Sequence, residues 1–154
     1  FGGSGWRKKY SFEHKIPHLR NPFEAFPSII NENDYDWSFN IRSRYIKKKL
    51  NKKVEGNKLE RAIQCYLYWN EMAIAESELY FKIEMQEDFL KLITFLKSHG
   101  EKLNNLNFSK LTKVNSKPKE KQILSLADFK FVSYDIKQQL ESFCSTYGYD
   151  YILS

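Results

Sequence analysis

The sequence predicts a helix-rich α/β domain with few parallel strands. Apolar residues recur at helical spacing over several long stretches, whereas only Tyr10–Leu19 and Leu79–Ile83 have the composition and length of strands. Helical segments join these two runs. Two strands are too few for a well-formed parallel sheet. We therefore expect the back portion of a larger domain whose N-terminal part lies outside this chain.

The composition is that of one globular domain with a preference for anionic partners. The chain has 154 residues, 42% of them hydrophobic, and a formal net charge of +6. Nucleic acid, a membrane surface and a phosphorylated small molecule all suit a basic protein, so the charge alone does not choose among them. Cys65 and Cys144 share no metal-ligand spacing and fall in apolar helical patterns, which favours small core residues in a reducing, cytoplasmic compartment. No apolar run is long enough for a membrane span, and the first residues do not resemble a secretory signal.

The first elements follow from glycine and proline positions. Residues 1–9 read as a flexible glycine-rich lead or linker, and residues 10–154 as a single, partial domain. After the strand Tyr10–Leu19, Asn21 can cap a helix and Pro22 suits its first turn, which predicts a helix over Phe23–Ile30. Pro27 should kink or shorten that helix.

The middle of the chain is predicted to be mostly helical. Asn31–Ser38 is polar and reads as a turn-forming linker, and Phe39–Leu50 reads as a basic helix. The clearest helical periodicity runs over about Asn57–Glu76, with Asn57 as its cap. Glu87–Lys97 is a further amphipathic helix, closed by Gly100.

The last third combines a polar segment with one long helix. Asn104–Lys121 is rich in Asn and Lys and reads as a surface loop. Ser125 and Asp128 have the spacing of a capping box at a short helical turn. Tyr134–Tyr147 then shows one apolar face, and Gly148 is placed to end the helix in the left-handed conformation.

The chemically informative feature is the corner between the first strand and the first helix. Arg20 stands where the strand ends, and Ser28 lies eight residues further along. Open α/β sheets bind ligands at the carboxyl edge of their strands. A guanidinium fork and a hydroxyl near a helix N-terminus form a phosphate site, so Arg20 and Ser28 are the candidate binding residues.

These residues resemble the 3′-phosphate motif of the sulfotransferases that use 3′-phosphoadenosine 5′-phosphosulfate (PAPS). That motif is a strand, then Arg-(Asn/Asp)-Pro, then Ser eight residues after the Arg, as in Arg20-Asn21-Pro22 and Ser28. Further stretches resemble the family in the same order: Ala62–Asn70 its Trp-containing helix, Leu79–Glu84 the following strand, and Tyr147–Tyr149 its C-terminal ending.

The resemblance implies a P-loop-like fold and transfer of a sulfo group to an acceptor hydroxyl or amine. PAPS is the donor, its 3′-phosphate is held by Arg20 and Ser28, and no metal is expected. The family's phosphosulfate loop and catalytic base are not recognisable here. We interpret Phe1–Gly5 as a linker or as a remnant left by truncation. His14 and His18 are interpreted as structural residues of the strand. The resemblance therefore implies half of a donor site, which would bind nucleotide weakly by itself, in a fragment or a degenerate relative.

Two further departures concern the nucleotide and its acceptor. Ile83-Glu84-Met85 stands where many members have Tyr-Glu-Asp, whose Tyr lies near the adenine. The late basic-glycine phosphate loop is also unrecognisable. Lys117, Lys119 and Lys121 could supply charge, but a solvated basic loop is the favoured interpretation of these lysines. The sequence selects no acceptor class, catalytic base or oligomeric state.

A different class of function stays open: a basic helical module that binds nucleic acid without catalysis. Tyr45, which could stack on a base, lies within a dense group of cations. The group comprises Arg42, Arg44, Lys47, Lys48, Lys49, Lys52 and Lys53. A solvated helix face explains the same run, and no helix-turn-helix, zinc or RNP pattern accompanies it. A purely structural partner-binding domain is a third alternative.

Overall fold

The computed structural model describes residues 14–33, 37–101 and 124–153. Within these ranges the chain forms six helices and a two-stranded parallel sheet, which confirms a helix-rich architecture with few parallel strands. Strand β1 is His18–Leu19 and strand β2 is Phe81–Lys82. His18 pairs with Phe81 and Leu19 with Lys82.

Both strands are shorter than their sequence patterns predict. The strand predicted over Tyr10–Leu19 is wrong over residues 14–17, which lie outside the strand, and residues 10–13 lie outside the described ranges. Leu79–Ile83 is reduced to Phe81–Lys82. Pro17 has no N–H to donate and only accepts a hydrogen bond, from the Phe81 N–H at 3.3 Å. Within the described chain each strand also has a single neighbour, so little ladder can form.

The first two helices are longer than predicted. Helix α1 is Pro22–Asn33 and helix α2 is Trp37–Leu50, so the linker predicted over Asn31–Ser38 is helical at both of its described ends. Pro27 neither ends nor shortens α1. Buried apolar residues on both sides of Pro27 hold the helix against α3, and this packing outweighs the lost backbone hydrogen bond.

Helix α3, Lys58–Ala75, agrees with its prediction to within one residue at each end. Asn57 caps it, because its side-chain oxygen accepts hydrogen bonds from the N–H groups of Leu59 and Glu60. The Glu60 carboxylate in turn accepts from the Asn57 N–H at 2.9 Å, which completes a capping box.

The remaining helices also end where local signals indicate. Helix α4 is Gln86–Ser98, a 3₁₀ helix spans Leu126–Phe131, and helix α5 is Tyr134–Tyr147. Gly148 ends α5 with a φ of 65°, in the left-handed region that glycine adopts without strain. The loop predicted over Asn104–Lys121 lies outside the described residues.

The core consists of two apolar clusters that share helix α3. The first cluster joins α1, α3, the 3₁₀ helix and α5, and includes Phe26, Ile63 and Leu140. The second lies between α2 and α3 and contains Phe39, Ile46, Cys65 and Met72. Helix α3 is thereby the central element, and the short parallel sheet lies beside it.

Candidate anion-binding corner

The candidate site lies where the carboxyl ends of β1 and β2 meet the first turn of α1. This group is called the corner below. It consists of Arg20 and Asn21 after β1, Glu84 after β2, and the first turn of α1. The Asn21 side-chain oxygen accepts from the Phe23 N–H at 3.0 Å, and Pro22 is fully buried as the first helical residue. The prediction that Asn21-Pro22 begins a helix is confirmed.

Arg20 places its backbone and its side chain in different environments. The Tyr66 hydroxyl, on the buried face of α3, donates a hydrogen bond to the Arg20 carbonyl. The guanidinium is 45% exposed, and its Nη2 lies 3.7 Å from the Glu24 carboxylate one turn into α1. An exposed pair of this kind contributes little free energy, about 0–1 kcal/mol. The Arg20 guanidinium can therefore exchange Glu24 for a stronger anion at small cost.

Ser28 is exposed on α1, one helical turn beyond Glu24. Residues four apart share a helix face, so Ser28 lies on the same side of α1 as the Glu24 side chain that contacts Arg20. The Ser28 hydroxyl makes no hydrogen bond within the part of the chain that the structure describes. Glu24 thus lies between the two candidate binding residues, a placement that the sequence analysis missed although the spacing of four was visible.

Glu84 already supplies an anion to the N-terminus of α1. The Ile83 N–H donates to the Leu19 carbonyl at 3.0 Å, which continues the ladder, and the next residue, Glu84, accepts a 2.8 Å hydrogen bond from the Asn21 N–H. This backbone donor is therefore occupied. An added phosphate would depend on the side chains of Arg20 and Ser28 rather than on the end of the helix.

The Glu84 carboxylate acts electrostatically on two tyrosines, the buried Tyr66 and the half-buried Tyr149. Burial is the main cause that raises the pKa of Tyr66 and of Tyr149, and the Glu84 carboxylate raises the pKa of both further. The Tyr149 hydroxyl is buried and has no hydrogen-bond partner among the described residues. Both phenols therefore remain neutral at neutral pH.

Lys82 attaches the C-terminal Tyr147–Tyr149 segment to β2. Its ammonium donates to the Tyr147 carbonyl at 3.1 Å and lies 5.5 Å from the centre of the Tyr149 ring. Its backbone N–H donates to the buried Asp88 carboxylate at 2.9 Å. Burial would raise the pKa of Asp88, but the hydrogen bonds from Lys91 and from the Lys82 backbone outweigh it and lower that pKa.

His14 and His18, both predicted to be strand residues, lie away from the corner, and only His18 is in β1. His18 is exposed on β1, with its ring 6.2 Å from that of Phe81. His14 lies before β1 and contacts Glu78 and His99. An open groove of about 260 Å³, lined in part by Lys15, Trp69 and Met72, is also on the amino side of the strands. None of these features reaches the expected phosphate position.

Among the described residues, four of the seven cations in the basic group on α2 and just after it pair with carboxylates. Arg42 pairs with Glu32 and is only 17% exposed. The other pairs are Lys49 with Glu76, Lys52 with Glu71, and Lys53 with Glu55. Tyr45 is half-buried, and its ring centroid lies 6.1 Å from that of Trp69. The other three cations of the group, Arg44, Lys47 and Lys48, are exposed.

The cysteines behave as core residues. Cys65 and Cys144 are free and buried, and burial raises the pKa of each thiol to about 11. Neither thiol is therefore an activated nucleophile, as the sequence pattern predicts. None of the described helices is both long and apolar enough to span a membrane.

Comparison with known proteins adds no relative. No protein-family model matches the chain, and no curated protein or solved structure matches it significantly.

Proposed function

We propose that the chain is the nucleotide-binding back portion of a PAPS-dependent sulfotransferase domain, in which Arg20 and Ser28 bind the 3′-phosphate. The arrangement of residues at the corner is the observation that supports this proposal. Arg20 follows a strand of a parallel pair, and Asn21-Pro22 begins the helix that bears Ser28. This is the chain geometry that the Arg-Asn-Pro…Ser resemblance requires.

The charges around Arg20 favour exchange with a phosphate. A dianion interacts with a guanidinium more strongly than the single charge of Glu24, and a phosphate can accept two parallel hydrogen bonds from the guanidinium fork. The Ser28 hydroxyl supplies a further donor. Because Glu24 lies between the two residues, phosphate binding requires this carboxylate to move aside.

In such a domain the two residues act on the far end of the donor. Binding energy gained at the 3′-phosphate positions the distant sulfo group for transfer to an acceptor hydroxyl or amine. The phosphosulfate loop and the catalytic base would come from elsewhere in the domain. Because this chain supplies only the 3′-phosphate part of the site, we expect it to bind the nucleotide without transferring a sulfo group.

The test measures the binding of 3′-phosphoadenosine 5′-phosphate to the chain, by NMR chemical-shift perturbation and by calorimetry at low salt. Arg20→Ala should weaken binding by about 2–3 kcal/mol, or roughly 30- to 150-fold, because a charge-assisted contact is lost. Adenosine 5′-phosphate, which lacks the 3′-phosphate, should bind the wild type and the Arg20→Ala variant with equal affinity. Glu24→Gln should tighten the bisphosphate, because it removes the competing carboxylate.

The matched control is Arg44→Ala, since Arg44 is exposed on α2 away from the corner. It should leave bisphosphate binding unchanged. Equal bisphosphate affinity of the wild type and a folded Arg20→Ala variant would remove Arg20 from the site. Steeply salt-dependent binding of arbitrary oligonucleotides that Arg44→Ala weakens, without bisphosphate binding, would support the nucleic-acid alternative instead.

A further inference from the structure

Three segments that are distant in sequence meet at the amino ends of the two strands. His14 precedes β1 and Glu78 precedes β2, and the parallel pairing brings the two lead-in segments side by side. Helix α4 follows β2 and returns along the sheet, so its end at His99 reaches the same edge. This edge is opposite to the corner, and its chemistry is independent of the proposed nucleotide site.

The three side chains offer donor atoms at metal-ligand separations. His14 Nδ1 lies 3.3 and 3.4 Å from the two Glu78 carboxylate oxygens. One donor atom from each of His14, Glu78 and His99 lies within 4.8 Å of the other two. Zn–N and Zn–O bonds of about 2.0–2.2 Å at tetrahedral angles separate ligand atoms by roughly 3.3–3.6 Å. The His14–Glu78 distance already has this value, and His99 needs only a small movement.

The end of α4 orients the His99 ring. Its Nδ1 lies 2.8 Å from the Phe95 carbonyl, which can only accept, so in the neutral ring Nδ1 carries the proton and Nε2 carries the lone pair. A backbone carbonyl of this kind is a common outer partner of metal-binding histidines. The ring centroids of His14 and His99 are 4.3 Å apart, and the Phe95 ring packs against both imidazoles.

The electrostatic setting also favours a cation. His99 is the C-terminal cap of α4, where the helix dipole places partial negative charge, and Glu78 adds a full negative charge. Glu78 is 53% exposed and His14 22% exposed, so water can complete the coordination shell. Two imidazoles and one carboxylate suit zinc and its first-row neighbours, whereas magnesium and calcium prefer oxygen ligands alone.

We propose that His14, Glu78 and His99 bind a divalent first-row transition metal, with Zn²⁺ as the best fit. The ion would link the segment before β1 to the segment before β2 and to the end of α4. It thereby stabilises the two-stranded parallel pair from the edge opposite to the corner. Its role is structural and does not depend on nucleotide binding.

The experiment uses the full chain after chelator treatment. Zn²⁺ binding is measured by calorimetry, and Co²⁺ binding by its visible absorption, which reports the coordination geometry. The wild type should bind one ion, and its unfolding temperature should rise with Zn²⁺ but not with Mg²⁺. His14→Ala and His99→Ala should each weaken binding by about 100-fold or more, because each removes a ligand. Glu78→Gln should weaken it less, since the amide keeps a donor oxygen without the charge.

The chain offers a matched control in its remaining histidine. His18 is exposed on β1 outside the cluster, so His18→Ala should bind Zn²⁺ like the wild type. Circular dichroism checks that every variant is folded. Unchanged affinity in folded His14→Ala and His99→Ala, or an equal loss in His18→Ala, would overturn the proposal. Strong near-ultraviolet Co²⁺–thiolate bands would also overturn it, because they would assign the ion to a cysteine.

Discussion

Tyr66 connects the core to the backbone of Arg20. It is 6% exposed, it packs against Phe26 in the first core cluster, and its hydroxyl donates to the Arg20 carbonyl. The hydroxyl thus satisfies the carbonyl at the residue that leaves β1 and precedes α1. The position of the candidate phosphate ligand therefore depends on a residue 46 positions away in the sequence.

Replacing Tyr66 by Phe should destabilise the protein and weaken nucleotide binding. The change removes one hydrogen bond and leaves the Arg20 carbonyl without this donor, which costs about 1 kcal/mol in the free energy of unfolding. Urea unfolding measures the loss. Tyr68→Phe is the control, because among the described residues the Tyr68 hydroxyl makes only a 3.4 Å exposed contact, with Gln139. An equal effect of the two substitutions would contradict the anchoring role of Tyr66.

The sequence alone is enough to name the candidate phosphate-binding residues, but it does not predict which side chains surround them. Arg20 and Ser28 follow from the motif spacing alone. The occupation of the Asn21 N–H by Glu84 depends on a contact 63 residues apart, and the sequence carries no local signal for it. The Glu24 contact lies within one helical turn and could have been found from its spacing to Arg20.

At the scale of elements, Glu60 links the start of α3 to the start of α5. One carboxylate oxygen accepts from the Asn57 N–H and the other from the Ser133 N–H, each at 2.9 Å. Partial burial would raise the pKa of Glu60, but these backbone hydrogen bonds outweigh it and lower the pKa below 4.5. The ionised carboxylate therefore stabilises two helix ends at once.

Glu60→Ala should lower the free energy of unfolding at neutral pH by about 1 kcal/mol, the scale of a lost helix cap. Glu60→Gln should retain most of the stability at neutral pH, because an amide oxygen still accepts. Since the folded-state pKa is depressed, the carboxylate's contribution is present above pH 4.5 and is lost as the pH falls through the lower folded value. Stability curves should therefore show less acid destabilisation for Glu60→Gln than for the wild type. Parallel curves would contradict this.

Helices were predicted better than strands, and the reason is local. The bounds of α3 and α5 follow from apolar periodicity with Asn57 or Gly148 at the end, signals that lie within the element itself. A strand exists only where a partner accepts its hydrogen bonds. The composition of Tyr10–Leu19 therefore overstates the length of β1, whose partner β2 has only two residues.

At the scale of the whole molecule, helix α3 contributes residues to both core clusters, and we therefore expect the two clusters to unfold as one cooperative unit. Ile46 in the second cluster and Leu140 in the first are both fully buried, and each cluster includes residues of α3. Loss of packing in either cluster therefore removes support from the helix on which the other depends.

Ile46→Ala and Leu140→Ala should each lower the free energy of unfolding by about 2–5 kcal/mol, as expected for large cavities in a core. Both variants should retain a single unfolding transition, observed at the same urea concentration by tryptophan fluorescence and by circular dichroism. A first transition in Ile46→Ala that leaves the Leu140 cluster folded would show that the clusters unfold independently.

The sequence by itself determined the helix-rich class, the helix caps at Asn21, Asn57 and Gly148, and the buried cysteines. Helical periodicity and capping depend on residues within one or two turns, so a linear pattern contains them. Only the tertiary structure decided that β1 pairs with β2. The same pairing brings Glu84 to Asn21 at one edge and His14 to Glu78 at the other. These contacts join residues more than 60 positions apart, and they arise because helix packing aligns two short strands, a result that no local pattern encodes.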